Sequence, residues 1–297
     1  MSGVVLHRSV APDGSAVLAY GAGPRAPASR PGARLREART IDLRRWSGLA
    51  WERVAWFQTD LADPYVELLP DGRVLAVAPR ERREDGVGAE PNAVLYSADG
   101  DELRRFAAGD GIAHAHVDAA GRIWCGYSVT GTTGDYGELG WGRRSPEEWI
   151  KPIGESGLTC FSDEGRCLQE YRPAPGTPII SDCTALNVAA DATWIVYHPG
   201  FALVRLDARD GSMSQWDVDC FACTAVAAAG RHAILYVGLG PRAGTALAIS
   251  LDAEEVQSRD TLNLSLPDGG RAADAHVVGR DGSLYAFDAR AVYRLDV

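Results

Sequence analysis

The chain contains two similar pentapeptides, AHAHV and ADAHV, that place polar side chains at alternate positions. If both are strands, side chains alternate between faces, so His114 and His116 share one face, as do Asp274 and His276. Imidazole nitrogens together with a carboxylate suit Zn, Mn or Fe, and a histidine near its ordinary pKa also exchanges protons. These four residues are therefore the first candidates for catalysis or metal binding.

Superposing the two pentapeptides on their final valines aligns His114 with Asp274 and His116 with His276. All four side chains would then point into one site, either a centre for Zn, Mn, Fe or Ca or a set of acid–base groups. The alternative is structural, because a histidine on an inner strand often only hydrogen-bonds a neighbouring backbone carbonyl. The residues alone leave these interpretations open.

Two further polar residues join the set by position. Asp182 opens the strand-like segment DCTALNV, and His198 lies in the loop YHPGF that follows the next strand. We expect both at the same end of the strands as the first four residues, where they are candidates for ligand binding.

A repeated pattern indicates which elements position these residues. A short apolar strand, a turn and a second strand that carries an aromatic residue recur with turns at Gly14, Gly72, Gly121, Asp191, Gly230 and Gly282. Several copies are followed by a second hairpin, such as NAVLYSADGDELRRF, and two hairpins make one four-stranded blade. The turn spacing clusters near the roughly 40 to 50 residues of a propeller blade. The sequence predicts an all-β protein, a single β-propeller domain over residues 1–297 with six four-stranded blades; five blades are the alternative.

Two regions fit this pattern less well. After Gly282 only two more strands follow, SLYAF and AVYRL, so the last blade must borrow a strand from the N-terminus, remain three-stranded, or belong to a ring with another count. Residues 22–60 combine a loop rich in Pro and Ala with an aromatic segment, and their place in a blade is the least defined.

A long insertion interrupts the third repeat at about residues 128–156. It falls between the second and third strands of its blade, whose connection emerges on the face where the innermost strands begin, beside the channel mouth. A loop of this length is more often a binding loop than a neutral connection. Asp135, Tyr136, Glu138 and Trp141 in this loop are predicted ligand-binding residues, because they offer acceptors and flat apolar surface.

The motif D-x-x-G-R-I-W, from Asp118 to Trp124, resembles the blade motif of bacterial propellers such as the virginiamycin B lyase group and sensor-type propellers. The overall size is similar to the gluconolactonase (SMP-30) group. The resemblance implies the propeller architecture, because such motifs fill the core of a blade. Those enzyme groups use metal-assisted lyase or lactonase chemistry, but their ligand residues have no residue-by-residue match here, so the resemblance implies no activity.

Composition excludes some classes of function. The net charge is −10 and the pI is near 5.1, whereas binding to nucleic acid usually needs a basic stripe, so nucleic acid is not expected as a partner. No signal peptide or membrane-spanning run is evident, so a cytoplasmic protein with no membrane association is expected. Basic residues are almost all arginine, which is typical of a GC-rich bacterial genome.

The six cysteines are expected to be reduced. Cys220 and Cys223 form a single C-x-x-C, a weak zinc signal that is more often two small buried thiols. Cys160 and Cys167 flank a turn and are expected to pack across a hairpin.

Two classes of function remain. The first is a binding propeller whose channel mouth and insertion recognise a small molecule or a protein. The second is an enzyme, a lyase, isomerase or hydrolase, in which His114, His116, Asp274 and His276 hold a metal or exchange protons. The common nucleophile, phosphate-loop and dinucleotide motifs are absent, but propeller sites are assembled from several blades and rarely carry such local motifs.

Overall fold

The chain folds into six antiparallel sheets, each made from one continuous stretch of sequence. A computed structural model describes residues 3–22, 38–81, 83–84, 88–134, 151–174, 176–253, 255–288 and 291–297. The predicted ligand residues Asp135, Tyr136, Glu138 and Trp141 lie outside these described residues.

The first three sheets have four strands each. Blade 1 comprises β1 (Val4–Val10), β2 (Ala16–Gly21), β3 (Arg39–Trp46) and β4 (Trp51–Thr59). Blade 2 comprises β5 (Tyr65–Leu68), β6 (Val74–Val77), β9 (Ala93–Tyr96) and β10 (Glu102–Phe106), with the short pair β7 (Arg83–Glu84) and β8 (Gly88–Ala89) in its central connection. Blade 3 comprises β11 (Ile112–Val117), β12 (Ile123–Tyr127), β13 (Leu158–Phe161) and β14 (Cys167–Glu170).

The remaining sheets complete the ring. Blade 4 comprises β15 (Asp182–Val188), β16 (Ala192–His198), β17 (Ala202–Asp207) and β18 (Met213–Asp217). Blade 5 comprises β19 (Cys223–Ala229), β20 (His232–Val237), β21 (Thr245–Leu251) and β22 (Val256–Asn263). Blade 6 has three strands, β23 (His276–Arg280), β24 (Ser283–Phe287) and β25 (Val292–Asp296).

The six-bladed propeller is therefore confirmed, and the last blade stays three-stranded rather than borrowing an N-terminal strand. Residues of the poorly fitting region, 39–46 and 51–59, form the outer half of blade 1. Apolar side chains pack along the seam between blades 6 and 1. Those side chains are Val10, Ala16, Leu18, Val278, Tyr285 and Phe287.

The insertion occupies the predicted place between β12 and β13 of blade 3. Its described parts are a short helix, α1 (Val129–Thr133), and the turn segment 151–157. None of the described residues forms a helix long and apolar enough to span a bilayer.

The D-x-x-G-R-I-W motif stabilises the turn between β11 and β12. Asp118 is buried; its Oδ1 accepts hydrogen bonds from the backbone N–H groups of Ala120 and Arg122, and its Oδ2 accepts from the side chains of Arg122 and Trp124. The turn also needs a left-handed residue, supplied by Gly121 with φ of 78°. Trp124, Trp194 and Tyr285 are buried, as expected for blade-core aromatics.

The two predicted cysteine pairs differ. Cys167 lies opposite Phe161 and Cys160 opposite Gln169, so Cys160 and Cys167 do not face each other across the hairpin. Cys220 and Cys223 are both buried, as the structural interpretation expects.

Candidate ligand site in the central channel

A cavity of about 360 Å³ opens at the centre of the ring. The inner strand of every blade contributes to it: its lining includes His7, Tyr65, His114, Leu186, Ala225 and His276. We call this space the channel cavity. Three of the predicted residues, His114, His116 and His276, line it.

Strand register places four of the lining residues at one level of the channel. His7, Tyr65 and His114 each lie seven residues before the turn glycines Gly14, Gly72 and Gly121. His276 lies at the same level. It pairs with Phe287, two residues after the core aromatic Tyr285, just as His114 pairs with Gly126, two residues after the core aromatic Trp124. We call these four residues the upper level.

This register corrects the predicted superposition. Blade 6 turns at Asp281 and Gly282, whereas blade 3 uses the longer turn from Asp118 to Arg122. The alignment on the two valines is consequently wrong by two residues. Asp274 does not belong to the inner strand: it ends a single 3₁₀ turn (Ala272–Asp274), is exposed, and is not among the residues that line the channel cavity.

The imidazole of His114 is neutral at pH 7. Burial lowers the pKa of His114 to about 4, and hydrogen bonding to the backbone of Thr184 and Cys183 in blade 4 only partly opposes this shift. An imidazole that donates one N–H to a backbone carbonyl keeps its other nitrogen as an acceptor. His114 therefore both links blade 3 to blade 4 and lines the channel cavity.

His276 is held in the same manner at the open end. Desolvation lowers the pKa of His276, the charges of His7 and Arg8 add to this effect, and hydrogen bonding to the Arg8 backbone opposes it. The side chain is more exposed than that of His114, since it lies at the mouth.

Below the upper level lies a charged and buried group that we call the floor: Glu67, His116 and Arg280. Their exposed fractions are 1%, 6% and 2%. Glu67 Oε1 lies 3.7 Å from Nε2 of His7, and Glu67 Oε2 lies 3.9 Å from Nδ1 of His116. The Nη2 group of Arg280 donates to the carbonyl of Val117.

Burial and neighbouring charges determine the ionisation of the floor residues. Burial lowers the pKa of His116 well below its ordinary value, and the positive charge of Arg280 adds to this, so His116 is neutral. Burial also lowers the pKa of Arg280, but the carboxylate of Glu67 favours its charged form. The two opposite charges thus compensate each other in a place that water hardly reaches.

Polar side chains of the inner strands also form hydrogen bonds between neighbouring blades. Tyr65 Oη donates to the carbonyl of Ala113 at 2.9 Å, and Ser9 Oγ donates to the carbonyl of Val66 at 3.1 Å. These bonds explain why polar residues recur on inner strands even where no ligand is needed.

Asp182 and His198 lie opposite each other at the mouth ends of β15 and β16. Desolvation raises the pKa of Asp182, while His198 opposes this shift. The His198 ring is 3.1 Å from Ser181 Oγ. Neither residue is among those that line the channel cavity, so their predicted role in ligand binding stays a prediction.

His7, Tyr65, Glu67 and Arg280 were not anticipated from sequence. A signal for three of them exists: counting back five and seven positions from Gly14, Gly72 and Gly121 reaches His7, Tyr65 and Glu67 together with the predicted histidines. Arg280 gives no such signal, because it directly precedes a turn and resembles a solvent-exposed residue.

Across the described part of the chain, no group of three or more His, Cys, Asp or Glu side chains is arranged to hold a metal ion. The predicted metal site at His114, His116, Asp274 and His276 therefore stays a prediction.

Comparison with known proteins identifies the fold. No protein-family model matches the chain, and no curated protein matches it significantly. A chain of the mitotic checkpoint complex is similar with a TM-score of 0.55 and 7% identity, covering 100% of this chain and 75% of that chain. The shared feature is the propeller.

Two further structures resemble it to the same degree. Hsv2 of Kluyveromyces lactis has a TM-score of 0.53 and 8% identity over 99% of this chain and 75% of that chain. A functionally unknown protein from Desulfotomaculum acetoxidans has a TM-score of 0.53 and 9% identity over 100% of this chain and 84% of that chain. At such identities the likeness extends to the fold alone, so function has to be argued from the site.

Proposed function

We propose that this propeller binds a small hydroxylated carboxylate, of about monosaccharide size, in the channel cavity. The volume of about 360 Å³ lies within the usual range of pockets for small molecules. His114, His116 and His276 supply neutral imidazoles, each of which offers one donor and one acceptor. A hydroxyl group has the same dual character, so hydroxyl-rich ligands match this wall.

The charge of the wall favours an anionic group on the ligand. Arg8 lines the channel cavity, and no Asp or Glu does so among the described residues. Glu67 lies beneath and is compensated by Arg280. A carboxylate on the ligand would therefore approach the guanidinium of Arg8 without meeting a carboxylate in the described lining.

The strongest support for a bound ligand comes from the floor. Among the described residues, both carboxylate oxygens of Glu67, Nδ1 of His116, and Nε and Nη1 of Arg280 are buried without a hydrogen-bond partner. A buried polar atom without a partner costs about 1 to 3 kcal/mol, so such groups are normally satisfied by water or by a ligand. Of the three floor residues, His116 lines the channel cavity, so polar atoms of a ligand would meet its imidazole directly.

The test is calorimetric titration with D-glucuronate and D-galacturonate, using D-glucose as the neutral counterpart. We expect one of the two uronates to bind wild-type protein and glucose to bind at least about 10-fold more weakly, equivalent to about 1.4 kcal/mol. His114→Ala and His276→Ala should remain folded and lose the binding. His232→Ala is the matched control, because His232 is exposed at the start of β20 and is not among the residues that line the channel cavity.

Two results would contradict this function. One is the absence of binding by every uronate and related hydroxy acid to folded wild-type protein. The other is unfolding of both histidine variants, which would show that His114 and His276 serve to hold neighbouring blades together.

A second candidate function, acid–base catalysis at the same site, is favoured by the position of Glu67 between two imidazoles. A carboxylate this close to two histidines can exchange a proton with either of them once they approach to hydrogen-bonding distance. Incubation of the bound uronate, followed by proton NMR, separates the two functions. A new product that is lost in Glu67→Gln, while binding is retained, indicates an enzyme; an unchanged uronate indicates a binding protein.

The predicted divalent metal is tested independently by elemental analysis of untagged protein purified without chelator. Near-stoichiometric Zn, Mn, Fe or Ca that is lost in a His114→Ala/His276→Ala double variant would support it. A metal-free protein that still binds the uronate would remove the metal and leave the proposed function standing.

A further inference from the structure

The CFAC segment, Cys220 to Cys223, lies at the mouth end of the inner strand of blade 5. Its two central residues form a turn, and Ala222 adopts a left-handed conformation with φ of 63°. A turn of this kind holds its first and last Cα atoms within about 7 Å, and disulfides need a Cα separation of about 4.4 to 6.8 Å. The backbone therefore brings the two cysteines into bonding range.

The two thiols are in different environments. Hydrogen bonding from Cys223 lowers the pKa of Cys220, and the nearby Arg242 and Arg259 act in the same direction. Burial raises the pKa of Cys223, which is 1% exposed. In a dithiol with this asymmetry the first sulfur is the nucleophile and the second is the resolving thiol.

The turn also lies at the surface and next to the channel. Phe221, between the cysteines, is 65% exposed and its ring lies 5.1 Å from that of Phe201. Thr224 and Ala225, directly after Cys223, line the channel cavity. A change in the conformation of the turn would therefore occur within two residues of the cavity lining.

We infer that Cys220 and Cys223 form a reversible redox dithiol that exchanges with low-molecular-weight disulfides such as glutathione disulfide. The thiolate of Cys220 attacks one sulfur of glutathione disulfide, forms a mixed disulfide and releases one glutathione. The thiolate of Cys223 then attacks Cys220, closes the intramolecular disulfide and releases the second glutathione. Two cysteine thiols are oxidised and one glutathione disulfide is reduced to two glutathiones, so protons and electrons balance.

This dithiol is independent of the proposed function. It requires no ligand in the channel, and its sulfurs are not among the atoms that line the cavity. Because Cys220 is only 3% exposed, exchange requires opening of the turn, so the equilibrium and not the rate is the quantity to measure.

The experiment uses full-length Cys167→Ser protein, since Cys167 is the exposed cysteine and would add its own mixed disulfide. The protein is equilibrated in glutathione buffers of increasing oxidised fraction, quenched in acid, alkylated under denaturing conditions and weighed by mass spectrometry. We expect a species lighter by two hydrogen atoms that escapes alkylation at two sites, and peptide mapping should place it at residues 220 and 223.

Two variants identify the order of events. Cys223→Ser should accumulate glutathione on Cys220, because the resolving thiol is gone, whereas Cys220→Ser should form neither the internal disulfide nor a mixed disulfide on Cys223. Circular dichroism confirms that both variants are folded. Full alkylation of both cysteines across the whole buffer series, in folded protein, would overturn the inference, as would a disulfide that involves Cys125, Cys160 or Cys183 instead.

Discussion

Arg280 of blade 6 donates a hydrogen bond from Nη2 to the carbonyl oxygen of Val117 in blade 3, at 2.5 Å. Blades 3 and 6 are opposite each other in the ring, so this side chain reaches across the channel. The two residues are 163 positions apart in the sequence. Both Arg280 and Glu67 are buried, with 2% and 1% of their surface exposed.

Removing this crossing should destabilise the protein strongly. Arg280→Met removes the hydrogen bond to the Val117 carbonyl and the positive charge that acts on Glu67, and loss of a buried hydrogen bond from a charged group typically costs about 1.5 to 3 kcal/mol. Urea denaturation measures the change in the free energy of unfolding. A Glu67→Gln/Arg280→Met double variant should recover part of the loss, while Arg294→Met, at an exposed pair with Asp296, should change it by less than about 1 kcal/mol. Equal stability of the single and double variants would show that the two charges do not interact.

Gly279 is required by close packing between blades 5 and 6. A Cβ at this position would lie 1.8 Å from the carbonyl oxygen of Val226, a backbone atom that cannot move without shifting the strand. We expect Gly279→Ala to lower the free energy of unfolding by about 3 kcal/mol. Gly270→Ala is the control, because the atoms nearest to its Cβ belong to the side chains of Asp268 and Leu266. A Gly279→Ala protein as stable as the control would contradict the packing of these two inner strands.

Acid should destabilise the protein before its carboxylates titrate fully. The pKa of His114 is about 4 in the folded protein and about 6.5 in the unfolded chain, so between these values only the unfolded chain binds a proton. The free energy of unfolding should therefore fall as the pH is lowered from about 6.5 to about 4, by up to about 3 kcal/mol for this residue. His116 contributes in the same direction.

Denaturation midpoints across this pH range measure the effect. His114→Gln should flatten the slope, because the substituted side chain does not titrate, whereas His232→Gln should leave it unchanged. An unaltered slope in His114→Gln would mean that His114 is protonated in the folded channel.

Asp118 should matter for stability and not for ligand binding. Asp118→Ala removes the acceptor of Trp124 Nε1 and of two backbone N–H groups, and we expect a loss of about 2 kcal/mol in the free energy of unfolding. Asp71→Ala, at an exposed turn carboxylate of blade 2, should change it by no more than about 0.5 kcal/mol. Uronate affinity should be the same in both folded variants; a selective loss in Asp118→Ala would give the motif a functional role.

The blades could be predicted from sequence because each hairpin is determined by residues that lie close together in the chain. Alternating apolar residues around turns such as those at Gly14, Gly72 and Gly121 define hairpins without reference to the rest of the chain. The place of the insertion followed from the same count. His114, His116 and His276 were identified because AHAHV and ADAHV look unusual on an apolar strand.

The floor could not be predicted, because it depends on ring closure. Glu67 lies in YVELL, which is an ordinary half-buried strand until blades 1 and 3 cover it. Arg280 is buried in the folded ring, where it bonds to Val117 of the opposite blade. Asp274 was misplaced since the depth of a residue in the channel depends on turn length, and the turn at Asp281 is shorter than its counterpart in blade 3.

The closure of the ring by side chains has a consequence for the order of folding. Within the described residues each blade is one uninterrupted segment, and blades 1 and 6 exchange no strand. A chain emerging from the ribosome can therefore complete blades 1 to 5 in turn, by contacts that are close in sequence and fast to form. Blade 6 follows the other five in the sequence and must find partners far away in the chain, so the ligand pocket acquires its floor only when Arg280 reaches Val117.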